Sequence, residues 1–158
     1  MLSLTFDAVQ DRLLLEIKIE GKASFVWLTR RATLILSRVV EKLLVKMYAK
    51  SGITDVGDTI ARFSQEALDT AYPPKRAAAV STKSGLLASG VSSGIIGPTS
   101  ARLTIKGAEG QSIQFVISRD LLHLLLNLLK LQAAKAEWKL EIGFSPVASG
   151  AAPTNLRQ

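Results

Sequence analysis

Cysteine is absent from this chain, histidine occurs once, and aromatic residues make up only 6% of its 158 positions. Without cysteine there is no disulfide framework, no thiolate metal site and no thiol nucleophile. A single histidine, His123, excludes any motif that needs two imidazole ligands. The longest apolar-rich runs, Ala32 to Val45 and Leu121 to Leu131, are interrupted by charged or polar residues. Both fall short of the ~20 apolar residues that a membrane-spanning helix requires. The stretch from Met1 to Arg12 alternates in polarity and carries Asp7 and Asp11, so it lacks the basic start and continuous apolar core of a signal peptide. The expectation is a cytoplasmic protein without a transmembrane segment.

What is present is 47% hydrophobic and 21% charged, enough for one good core. The arrangement is repetitive. Val26-Trp27-Leu28-Thr29-Arg30 and the helical run to Met47 lie over Phe115-Val116-Ile117-Ser118-Arg119 and the helical run to Ala136, at an offset of 89 positions. Upstream, Leu2, Leu4 and Phe6 alternate with Ser3, Thr5 and Asp7, and Leu13, Leu15 and Ile17 alternate with polar neighbours. Period two with one wet face predicts antiparallel strands. Glu20-Gly21-Lys22 supplies a tight turn into a third strand. Thr29 caps a helix from Arg30 to about Ala49, and Ser118 holds the matching cap position.

These signals predict an α+β fold: an internally duplicated chain with a mostly antiparallel sheet of five or six strands and two long helices packed on it. The expected single domain covers 1–144, with unit one at 1–50 and unit two at 101–144, and a loose tail follows at 145–158. Between the units, a short helix through Ile60, Phe63 and Leu68 is expected to end at Pro73-Pro74. The Ala-, Ser- and Gly-rich stretch from Ala77 to Ser100 is expected to be a flexible connector. A last strand is expected from Trp138 to Phe144.

The charge is unevenly placed. Of a net +7, the segment from Lys22 to Lys50 contributes Lys22, Arg30, Arg31, Arg38, Lys42, Lys46 and Lys50 against Glu41 alone. This basic strand and helix form the expected partner-binding face, suited to an acidic partner. Arg30 and Arg31 also oppose the dipole of the helix they begin, a broken local rule of the kind that marks interaction sites. Leu34 and Val45 fall among the cations, which suits a protein groove better than bare phosphate.

Leu121 to Leu131 contains eight leucines in eleven residues. Its polar residues (Arg119, Asp120, His123, Asn127, Lys130) occupy one stripe, leaving an apolar arc of roughly 260°. One sheet cannot cover that arc, so Leu121, Leu124, Leu125, Leu128 and Leu131 are expected to form an oligomer interface. His123 is read as a satisfied or exposed surface residue. Phe25 and Trp27 would offer a base-stacking platform only if they lay on an open face, and strand aromatics are more often core.

No catalytic constellation, metal motif or phosphate loop is present; Gly85, Gly90, Gly94 and Gly97 do not have the spacing of one. The expected function is therefore a non-catalytic binding or assembly subunit, without cofactor, that self-associates or docks a protein partner. The alternative is a module that binds single-stranded DNA or RNA through the basic face.

Overall fold

The computed structural model describes residues 2–50 and 85–142. Three strands, β1 (Leu2–Asp7), β2 (Arg12–Ile19) and β3 (Lys22–Leu28), lead into α1 (Arg30–Lys50). Three more, β4 (Leu86–Gly97), β5 (Ser100–Gly107) and β6 (Ser112–Ser118), lead into α2 (Arg119–Lys135). The strands form one six-stranded sheet in sequence order, antiparallel at every step except the parallel junction of β3 with β4. The fold is α+β with a mixed sheet.

The local causes are those of the sequence. Glu20 and Gly21 both have positive φ, 50° and 82°, the backbone of a tight two-residue hairpin whose twist matches the strands. The Thr29 hydroxyl accepts from the Ala32 amide at 3.1 Å and the Ser118 hydroxyl from the Leu121 amide at 3.2 Å, so both helices start on the same side-chain cap. At the far end of α2 the Glu137 amide bonds the Ala134 carbonyl and the Trp138 amide bonds the Ala133 carbonyl, with Glu137 at φ 58°. That pairing is a Schellman closure, which turns the chain back on the helix.

One core fills the space between the sheet and the helices. Leu13, Leu15, Val26, Leu28, Leu103, Ile105, Phe115 and Ile117 point into it from the strands. Leu36, Val40, Leu44, Leu122, Leu125 and Leu129 meet them from the helices. The helices do not sit over their own strands: α1 lies chiefly against β4, and α2 against β1 and α1. On the opposite face, Leu14 and Trp27 are register partners and both are buried.

Two expectations change. Residues 86–97, assigned to a connector, form β4, because Val91 and Ile95 stand opposite Ile105 and Ala101 of β5 and pack against the core, while Gly90, Ser92 and Gly94 alternate with them on the other face. The strand expected from Trp138 onward is not formed over 138–142: the helix closure and a positive φ at Lys139 (56°) take the chain off an extended path. Trp138 and Ile142 are nonetheless buried, so their alternation recorded burial rather than a ladder. The short helix expected through Ile60 to Leu68, the rest of the 51–84 stretch and the 145–158 tail lie outside the described residues.

The β3–β4 junction rests on close backbone approach. A Cβ at Gly85 would lie 2.7 Å from the Phe25 carbonyl oxygen and 3.0 Å from its carbonyl carbon. Gly85→Ala therefore forces β4 away from β3 and is expected to cost about 1–3 kcal/mol, the range of overpacking. A chemical denaturation midpoint unchanged from wild type would contradict this reading of the junction.

Candidate interaction surfaces

Helix α1 has a wet face along its whole length. Arg31, Arg38, Lys42 and Lys46 are all exposed and fall within a stripe roughly 80° wide and ~22 Å long at helical spacing. Val45 is exposed beside one edge of this stripe, with the half-buried Leu34 on the same side, and the half-buried Ile35 lies within it. Among the described residues none of these four cations has a salt bridge. Lys50 is exposed farther round the last turn, and Lys22 is exposed on another element, at the start of β3.

Arg30 belongs to a different arrangement. Its guanidinium reaches Asp11 Oδ2 at 2.9 Å and lies 5.7 Å from the centre of the Trp138 ring. The Trp138 indole donates to Asp11 Oδ1 at 2.8 Å. The Trp138 hydrogen bond, and after it that of Arg30, hold the Asp11 carboxyl below its ordinary range. The apparent violation at the α1 N-terminus is thus relieved, because Arg30 sits beside a carboxylate and against the C-terminal, electronegative end of α2.

The start of α2 repeats this with different partners. The Arg119 guanidinium lies 4.8 Å from the centre of the Tyr48 ring, and the Tyr48 hydroxyl is 2.7 Å from His123 Nε2. The two helices consequently run antiparallel, each beginning with an arginine placed over an aromatic ring at the end of the other. His123, expected near the surface, is 2% exposed. The sequence stripe was correct in angle, but its centre faces α1 instead of solvent. Burial holds the His123 imidazole down to about 4, against the upward pull of Asp120, and burial also raises the Tyr48 hydroxyl. A neutral, enclosed imidazole of this kind is part of the helix contact.

The leucines of α2 divide. Leu125 and Leu128 are buried in the chain's own core, Leu121 and Leu124 are half-buried, and Leu131 is 40% exposed. Helix α1 and the sheet share the apolar arc, so only its rim is open. Trp27 is 5% exposed and Phe25 half-buried, which closes the stacking platform considered from sequence.

A further surface is the outer face of β4, β5 and β6. Register places Arg102, Thr104 and Lys106 beside Gly94, Ser92 and Gly90 on one side and Val116, Gln114 and Ser112 on the other. No acidic residue stands among them. The alternation Arg102, Thr104, Lys106 against Leu103 and Ile105 was the signal in the sequence.

Among the described residues no group of three or more His, Asp or Glu could hold a metal, and no helix is long and apolar enough to cross a membrane. No family model, curated protein or solved structure matches this chain.

Proposed function

We propose that the protein is a non-catalytic docking subunit, and that the outer face of α1 binds an acidic surface on a protein partner. The observation that carries this reading is the row Arg31, Arg38, Lys42 and Lys46, exposed on one helix without a salt bridge among the described residues. Val45 and the half-buried Leu34 and Ile35 add the apolar contact a protein groove takes up and a phosphate backbone does not. Of the seven cations first grouped together, Arg30 is engaged within the fold and Lys22 stands apart, so the docking face is narrower than the charge run. If the chain self-associates through α2, the rim residues Leu121, Leu124 and Leu131 carry that contact.

We also read the chain as an internal duplication. Support comes from the repeated cap, the arginine at each helix start, and the reciprocal seating of α1 on β4 and α2 on β1. The β5–β6 connection, closed by Gly107 and Gln111, is one residue longer than the Glu20-Gly21 turn. That single residue changes the offset from 89 along β3 and β6 to 88 along β2 and β5, keeping Leu13, Leu15 and Ile17 equivalent to Ala101, Leu103 and Ile105.

A second reading, binding of single-stranded nucleic acid, is favoured by the β4–β6 outer face, whose Arg, Lys, Ser, Thr and Gln are the side chains that contact phosphate and sugar. One experiment separates the two. Wild type and Arg38→Glu/Lys42→Glu are used as bait in nuclease-treated extract of the source cell, and labelled DNA and RNA oligonucleotides are titrated in parallel. Docking on α1 predicts a protein retained by wild type and lost from the variant, whose thermal stability stays close to wild type because exposed charges contribute little to folding. Retention of the same proteins by both baits would overturn the reading. Oligonucleotide affinity that falls steeply between ~50 and ~200 mM salt would instead support nucleic acid.

A further inference from the structure

Among the described residues, strand β6 is one end of the sheet and pairs only with β5. Free sheet edges expose a row of unpaired backbone donors and acceptors, and proteins usually blunt them with charge, proline, bulges or a covering element. The other edge, β1, is attended by α2 and ends in a buried Asp7. Strand β6 has none of the side-chain devices. Its sequence Ser-Ile-Gln-Phe-Val-Ile-Ser carries no charge and no proline, its register with β5 is unbroken, and Val116 on its outer face is 63% exposed.

That sequence also reads nearly the same in both directions. About Phe115, Ser112 mirrors Ser118, Ile113 mirrors Ile117, and only Gln114 against Val116 departs from the palindrome. In an antiparallel pair, residues directly opposite lie on the same face. Two copies of β6 related by a two-fold axis at Phe115 would therefore set isoleucine against isoleucine and phenylalanine against phenylalanine on the core face, and Gln114 against the second copy's Val116 on the outer face. A two-fold contact must be self-complementary, and this strand is.

We infer that β6 joins a second copy of this chain edge to edge, in antiparallel register centred on Phe115, making one continuous twelve-stranded sheet. The pairing carries the Arg102, Thr104 and Lys106 rows of both copies onto one outer surface. It uses neither the α1 face nor the leucines of α2, so it stands or falls independently of the docking reading.

The test is solution mass by light scattering at tens of micromolar, with Val116→Lys as the disrupting variant, since an outward lysine leaves the core untouched and blocks edge pairing. Wild type is expected at twice the 17.0 kDa chain mass and the variant at half the wild-type value. The chain has no native cysteine, so Gln114→Cys and Val116→Cys proteins can be mixed and oxidised to report the register directly. Cross-linked 114–116 heterodimer in excess over either homodimer supports the pairing. A monomeric wild type, a dimer unaffected by Val116→Lys, or homodimeric cross-links in excess would each overturn it.

Discussion

Replacing Leu125 with alanine is expected to lower the stability of the folded chain by about 2–5 kcal/mol, while the same change at Leu131 should stay within about 0.5 kcal/mol. Both residues belong to the leucine-rich run of α2, yet their surroundings differ. Leu125 has no exposed surface and sits among side chains of α1 and the sheet, where removing three carbons leaves a cavity the rigid strands cannot close. Leu131 is 40% exposed and loses little. Urea unfolding of the two variants at equal concentration measures the difference. Similar midpoints for both would mean that α2 is not seated as described, and that its apolar arc is covered in some other way.

Acidification is expected to destabilise the protein through His123, by up to about 3 kcal/mol over the window set by its folded and unfolded proton affinities. The folded imidazole is held down to about 4 by burial between α1 and α2, against an ordinary value of 6.5. Within that interval the unfolded chain binds the proton and the folded chain does not, so stability is fully present above 6.5 and is lost as pH falls toward 4. Tyr48→Phe removes the hydroxyl 2.7 Å from Nε2 and leaves a buried ring nitrogen without that partner, at a cost of about 1–3 kcal/mol near neutral pH. Changing both residues together, Tyr48→Phe with His123→Leu, should recover much of that loss and flatten the pH dependence. Urea midpoints followed through this interval are the measurement. A double variant with the wild-type slope would assign the acid sensitivity to other groups.

These expectations show where the sequence was readable and where it was not. The strand periods of Leu2 to Phe6 and Leu13 to Ile17, the hairpin at Glu20-Gly21 and the caps at Thr29 and Ser118 are local signals, and the structure reproduces them within a residue or two. Strand β4 was missed because seven of its twelve residues are Gly, Ser or Ala, and its place in the sheet is set by β3 and β5 instead of its own propensity. Trp138 to Ile142 misled in the opposite sense: apolar alternation is necessary for a half-buried strand but also describes a coil pressed against a core. Burial of His123 was hidden for the same reason. A helical wheel gives the angle between residues, but it cannot say that a second helix lies over the polar stripe.

The basic face of α1 was legible as charge, but its division was not. Only the fold shows that Arg30 turns toward Asp11 and Trp138 while Arg31, Arg38, Lys42 and Lys46 remain outward. Local electrostatics at a helix start therefore depends on what the neighbouring helix ends with, and that is a tertiary fact.

The central claim, that the outer face of α1 is where the partner sits, is tested most directly by lysine reactivity. The protein is acetylated with a limiting reagent, alone and after assembly in extract of its source cell, and each site is quantified by mass spectrometry. Docking on α1 predicts that Lys42 and Lys46 become protected while the exposed Lys130, Lys135 and Lys139 react as before. Unchanged reactivity at Lys42 and Lys46, with protection centred on Lys106 of β5, would contradict it.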